Sequence, residues 1–396
     1  MKLTACILAV LLCLGHRATA GEAEVAAGEV LFKRAWVDTP ASADEAGGLG
    51  PLFNGKACSS CHKDGRGARF FELDGRLTAR GLVVRLATPD GAPHPVLGVQ
   101  LQTRAVPGLQ PEGEVLARLD GRRLVVDVET MLGSAGAPIL FEPRIAPSLR
   151  GRALLERVDE RAILALADPD DRDGDGISGR ARPVIGADGV ARIGRFGAKA
   201  TTATLEEQTA AAAALDIGLS SPGKKSLQGD CTAAQGECLR LAPQGGGMRD
   251  GAEMPAQTIA LIAAYLRSLE PPPYAADSQA EALLAGAGCT ACHHPSMPDG
   301  EGGLVFVHTD LLLHDLGADG AGVTSDDFAS TREWRTAPLL DLDPMNGKRR
   351  YLHGGAAADL EEAIRLHGGE AAAARDRYLG LTSAERARLL SWLAKL

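Results

Sequence analysis

Two five-residue strings constrain this chain more than anything else in it. Cys58-Ser59-Ser60-Cys61-His62 and Cys289-Thr290-Ala291-Cys292-His293 both read C-x-x-C-H. With 8 Cys and 9 His in 396 residues, one such string is expected by chance only about 0.004 times, and the pattern is a signature of c-type haem attachment. The two thiols form thioether bonds to one porphyrin, and the adjacent imidazole lies beneath the iron as its proximal ligand. Cys58, Cys61, Cys289 and Cys292 are therefore read as attachment points, and His62 and His293 as iron ligands. A redox-active C-x-x-C pair, or a zinc site shared between the motifs, are the competing readings. Neither explains the histidine after both pairs.

The motifs lie 231 residues apart, counting Cys58 to Cys289, too far for tandem haems in one small unit. The expected class is mainly α: two cytochrome c-like haem domains, the first with a β-rich insertion and long loops. The first runs over 21–270, with the insertion at about 80–135 and an acidic loop at 168–179; the second runs over 276–396. Between them Pro271-Pro272-Pro273 stiffens a linker at 271–275. Ile259, Ile262, Leu266 and Leu269 predict a helix over 255–269 that closes the first domain. Residues 151–168 predict another helix. The segments around 81–86, 96–102 and 115–128 alternate apolar and polar residues, the last across the turn Asp120-Gly121, as in β-hairpins. Asp359 and Thr382 read as N-caps of two short C-terminal helices, Thr382 with Glu385 as a capping box.

Lys2, the apolar run Ile7–Leu14 and Ala18-Thr19-Ala20 predict an export signal over 1–20, cleaved before Gly21. No later segment is apolar for long enough to predict a membrane span, so the expected location is the periplasm. Loss of Lys2 and Arg17 takes the formal charge from -9 to -11, which argues against nucleic acid as a partner. Cys6 and Cys13 leave with the signal, and Leu12 before Cys13 disfavours a lipid anchor. Cys231 and Cys238 then remain, and in an oxidising compartment they read as a local disulfide.

The chain resembles the bacterial di-haem cytochrome c peroxidase superfamily, and more closely the di-haem oxidoreductases described as peroxidases or thiol oxidoreductases. The strings that carry the likeness are GLGPLFNGKACSSCHKDGRG, RIAPSLRG, DPDDRDGDGISGR, GRFGAKA, GCTACHHP, TDLLLHDLG, EWRTAPLL and YLHGGAAADLEEAIRLHGGEA. The resemblance implies an electron-transferring haem in the C-terminal part, its sixth-ligand position falling on His367, where the peroxidases have Met. Bis-His ligation stabilises ferric iron more than His/Met and lowers the potential. His353 and His314 are then expected near that haem but not on its iron, and His294 to face elsewhere. The peroxidases' distal histidine position falls on Thr78, which leaves the N-terminal haem with an open site or another ligand: His94, Met131, Met248 or Met254. Gln100, Gln102 and Arg104 are candidates to line a peroxide pocket there, on a predicted strand. Asp171, Asp173 and Asp175 have the spacing of a calcium loop, but Arg182 at the twelfth position rules out a complete EF-hand. Trp334 reads either as a relay between haems or as a core tryptophan.

Two functions follow. One is an exported di-haem oxidoreductase of peroxidase type, with two covalent haem c groups and possible Ca2+, a catalytic N-terminal haem, hydrogen peroxide as substrate and a periplasmic electron donor or acceptor protein as partner. The other is a non-catalytic electron-transfer cytochrome. Thiol oxidation is a third reading, but it has no spare dithiol once the haem cysteines are assigned.

Overall fold

The computed structural model describes residues 20–37, 48–73, 76–131, 138–225, 228–241, 251–324 and 326–396. Residues 1–19 of the expected signal sequence, with Cys6 and Cys13, and Met248 lie outside the described residues.

Helix makes up 31% and strand 20% of the described residues, so the expected mainly α class, with its cytochrome c-like helical domains, is overturned. Helices here are short. The segment 151–168, expected as one helix, forms Leu154–Arg157 and Glu160–Leu166. Val158 breaks it in extended backbone, and Asp159 re-starts it by accepting from Arg161 N. Strands, among the described residues, pair as seven separate two-stranded ladders. The β region is also wider than expected, from Arg69–Leu73 to Leu140–Ile145. Its Gly113–Asp120 and Arg123–Thr130 strands form the hairpin that Asp120-Gly121 predicts. Further short strands lie at Ser296–Pro298, Leu304–Phe306, Leu313–Asp315 and Glu333–Arg335.

The predicted closing helix is present as Ala256–Ser268, burying Ile259, Ile262 and Leu266. It packs on the helix Ala20–Lys33. Gly28 permits that approach: a Cβ there would lie 1.9 Å from Leu261 O. This core also holds Met297, Val305, Leu311 and Leu340 from the C-terminal third. A second apolar cluster joins Leu284 of Ser278–Gly286 to Tyr378, Leu389 and Trp392. Thr382 caps Ser383–Leu393 with the expected capping box, and Asp359 accepts from Glu362 N at the start of Leu360–Arg365. Cys231 and Cys238 are disulfide-bonded. Among the described residues no helix is long and apolar enough to cross a membrane.

Candidate functional site

Both C-x-x-C-H motifs fold as a single helical turn. His62 N donates to Cys58 O at 3.0 Å and His293 N to Cys289 O at 2.9 Å, which places each imidazole beside its two thiols. All four thiols are free. Burial pushes Cys58 and Cys61 up to about 12 and Cys289 up to about 11. A dithiol exchange site needs the opposite shift.

The imidazoles share a second feature. His62 Nδ1 lies 3.0 Å from Pro147 O, His293 Nδ1 3.1 Å from His308 O, and His367 Nδ1 2.7 Å from Ala363 O. A carbonyl can only accept, so each Nδ1 carries the proton and each Nε2 keeps a lone pair for a metal. Burial holds His62 and His293 down at about 4 and lowers His367, yet all three rings stay partly accessible. His293 and His367 face each other with centroids 6.4 Å apart. Two imidazoles on opposite sides of one iron need roughly 6 Å, from two metal–nitrogen bonds of about 2 Å plus the ring radii.

The other histidines have different occupations. His314 is 4% exposed and is held at both nitrogens, by Glu370 Oε2 at 2.7 Å and Asp310 Oδ2 at 2.8 Å. Burial opposes its charge, but hydrogen bonds to Asp310, Cys292 and Glu370 raise it to about 12. Cys292, Asp310 and His314 come within 4.8 Å of one another, but a ring donating from both nitrogens has no lone pair for a metal. Glu370 also accepts from Ser178 Oγ at 2.9 Å and Asp315 N at 3.0 Å, which ties the acidic loop to the second motif. His294 Nδ1 turns to Ser296 O. The His308 ring packs edge-on to Trp392, and its backbone, at φ +47°, presents the carbonyl to His293. His353 stacks on Trp334 at 4.5 Å. Burial, then Arg144, Arg335 and Lys199, hold it well below its usual range. Trp334 is buried, with Arg144 and Lys199 over its ring.

Beside the first motif lies a buried polar network. Leu52–Phe53 pairs with Arg104–Ala105, bringing Asn54 against residues 101–103. A π turn over Ala213–Ile217 presents Asp216, whose carbonyl accepts from Asn54 N and Gly55 N at 2.9 Å each. Gln100 pairs with Arg85 in an isolated antiparallel bridge, Gln102 follows it in a loop, and both are almost wholly buried. Gln100 Nε2 donates to Asp216 Oδ1 at 2.9 Å, and Gln102 Nε2 to Leu215 O at 3.0 Å. Asp216 is within electrostatic reach of Cys58 and Cys61. Arg104 is exposed and within reach of Cys61.

The sequence reading missed Glu112. It is 0% exposed, takes hydrogen bonds from Gln102 N at 2.7 Å and Gln235 Nε2 at 2.6 Å, and is pushed by burial up to about 8. Nothing in the local string Pro111-Glu112-Gly113 marks it, because one partner is 123 residues away. His94 is 1% exposed, and its Nδ1 accepts from Val96 N and Leu97 N. Its proton is therefore on Nε2, which cannot ligate in that form. Met131 is exposed and Met254 packs in the core. Thr78 pairs with Phe71 in a ladder. Asp171, Asp173 and Asp175 bring carboxylates within 4.8 Å of one another.

Paired thiols with adjacent imidazoles that keep Nε2 free are the equipment of a haem-binding oxidoreductase. The chain belongs to the di-haem oxidoreductase family: the model described as "Di-haem oxidoreductase, putative peroxidase" matches residues 134–396. That span holds the second motif and begins after the first. No curated protein matches. Among solved structures, hydrazine synthase of Kuenenia stuttgartiensis, pressurised with xenon, is similar at 18% identity over 35% of this chain and 55% of that one. Its TM-score of 0.24 is too low to bear on the fold.

Proposed function

We propose that the protein is an exported di-haem c oxidoreductase of peroxidase type, with peroxide handled beside Cys58–His62 and electrons passed at Cys289–His293. The observation that carries this reading is the set of three imidazoles, His62, His293 and His367, each with Nδ1–H on a backbone carbonyl and Nε2 left free. In this reading Cys58/Cys61 and Cys289/Cys292 hold one porphyrin each by thioether bonds. A bound haem supplies a redox-active iron, and an open coordination position on it admits peroxide.

The chain's own residues divide the work. His293 and His367 would both hold one iron through Nε2, which would close that site to substrate and suit it to electron transfer. His62 would hold the iron of the other site through its Nε2. Gln100 and Gln102 hold Asp216 and its turn in place beside the motif, Arg104 supplies a cation, and Glu112, with its proton held to about pH 8, is the group able to donate and recover a proton near neutrality. The Cys231–Cys238 disulfide suits an oxidising compartment, so the electron partner is read as a periplasmic protein. The Asp171–Asp173–Asp175 loop is read as a calcium site.

Electronic and EPR spectra with and without peroxide test this. The expected result is one low-spin bis-His haem and one high-spin haem that reacts with peroxide. Two low-spin haems unchanged by peroxide would leave a plain electron-transfer cytochrome and sink the peroxidase reading.

A further inference from the structure

A cavity of about 240 Å³ lies where the two apolar clusters meet, lined by Val305 and Leu340 of the first and Leu396 of the second. Three of its lining side chains are polar: Arg157, Tyr274 and His308. Arg157 is paired with Asp299 at 3.2 Å, and the Tyr274 hydroxyl donates to Glu281 Oε1 at 2.8 Å. His308 is different. It is 2% exposed, its Nδ1 is fully buried with no partner, and its Nε2 makes no hydrogen bond among the described residues. Of the ring's two aromatic neighbours, Tyr274 stacks on it at 6.0 Å and belongs to the cavity wall, while Trp392, edge-on at 5.7 Å, belongs to the core.

A neutral imidazole carries its proton on one of the two ring nitrogens. Buried N–H groups without a partner are rarer than under-used acceptors, so the sealed Nδ1 keeps the lone pair and Nε2 takes the proton. Withholding an N–H from water without an acceptor is costly. His308 thus offers a donor that the chain leaves unused.

The volume limits what can take it. An apolar cavity of about 150 Å³ holds a benzene, so this one suits a single ring with one or two substituents and is far too small for a porphyrin. With Arg157 paired, no free charge lines the walls, which selects a neutral molecule. Tyr274, Leu304 and Phe306 are exposed and form an apolar mouth.

We propose that the cavity binds a neutral one-ring aromatic molecule bearing an oxygen acceptor, a phenol being the simplest, with that oxygen on His308 Nε2 and the ring against Tyr274 and Phe306. The site also reaches the second motif. The His308 carbonyl accepts from His293 Nδ1 at 3.1 Å, so a ligand that moves His308 alters the hold on His293. This coupling rests on the di-haem reading above, whereas the cavity does not.

Isothermal titration calorimetry of the holoprotein with 4-methylphenol and with toluene tests the site, alongside His308→Phe and Leu304→Trp. The wild type should bind 4-methylphenol about tenfold more tightly than toluene, the worth of one hydrogen bond. His308→Phe should erase that preference and keep toluene. Leu304→Trp, at an exposed position, should block both rings, which keeps the proposal falsifiable if His308→Phe fails to fold. Equal affinity for the two rings, or an affinity left unchanged in Leu304→Trp, overturns the proposal. So does no binding at all, which would leave the apolar mouth as a face for a protein partner. Fewer than two haems in the wild type would sink the di-haem reading while the calorimetry still decides the cavity. With two haems, 4-methylphenol should shift the Soret band and EPR signal of the second-motif haem in the wild type and not in Leu304→Trp; unmoved signals overturn the coupling.

Discussion

Replacing Glu112 by Gln should remove a pH-dependent loss of stability. The folded-state pKa of Glu112 is raised from 4.5 to about 8 by burial. Below pH 4.5 the carboxyl is protonated whether folded or not, and it contributes no pH dependence. Between 4.5 and 8 the unfolded chain releases the proton while the folded chain holds it, so stability falls as pH rises; above about 8 the loss is complete. At about 1.4 kcal/mol for each tenfold in proton activity, the gap between 4.5 and about 8 sets a ceiling of about 5 kcal/mol. Relaxation around the carboxylate leaves about 2 to 3 kcal/mol as the expected effect. Gln cannot ionise, but its amide would face the Gln235 donor, whose own oxygen is taken by Thr232 N. That costs about 1 kcal/mol at every pH. Urea denaturation of the holoprotein at pH 5 and pH 8 measures both effects. The variant should be the weaker protein at pH 5 and the stronger at pH 8. A wild-type-to-variant difference that stays the same, within about 0.5 kcal/mol, between the two pH values would refute a neutral Glu112.

Three further outcomes are expected. His367→Ala should convert the haem of the second motif from low-spin to high-spin in EPR; an unchanged low-spin signal removes His367 as its ligand. Glu370→Gln should cost about 3 kcal/mol in urea denaturation, because it leaves the His314 imidazolium half-paired in the interior. His314 is raised above its unfolded value to about 12, so the pair's contribution is full below pH 6.5 and declines as pH rises toward 12; a deficit that grows with pH contradicts the pairing. Cys231→Ser with Cys238→Ser should lower stability by about 2 kcal/mol for so short a loop, and an unchanged denaturation midpoint would show that the disulfide contributes nothing.

What could be read in the sequence was what is encoded locally. The C-x-x-C-H turns, the hairpin at Asp120-Gly121, the helix Ala256–Ser268 and the caps at Asp359 and Thr382 each depend on residues within about one turn of each other. The class of fold was not legible. Strands of three residues such as Ser296–Pro298 and Glu333–Arg335 are too short to show a period of two, and they form because distant partners supply the ladder. The same holds for the candidate site. His367 could be placed by its distance from His353 through the family resemblance, but Glu112 depends on Gln235 and His314 on Glu370. His94 next to two prolines resembled an open loop, and only the fold shows Val96 N and Leu97 N turned back onto its ring.

The central claim is that both C-x-x-C-H motifs carry a porphyrin by thioether bonds. Intact mass spectrometry of the purified protein under denaturing, reducing conditions tests it most directly. The mass should equal the chain plus two haems, with one lost when Cys58 and Cys61 are changed to Ala and the other when Cys289 and Cys292 are. A chain that flies at its bare mass, or keeps both haems in either variant, would contradict the account.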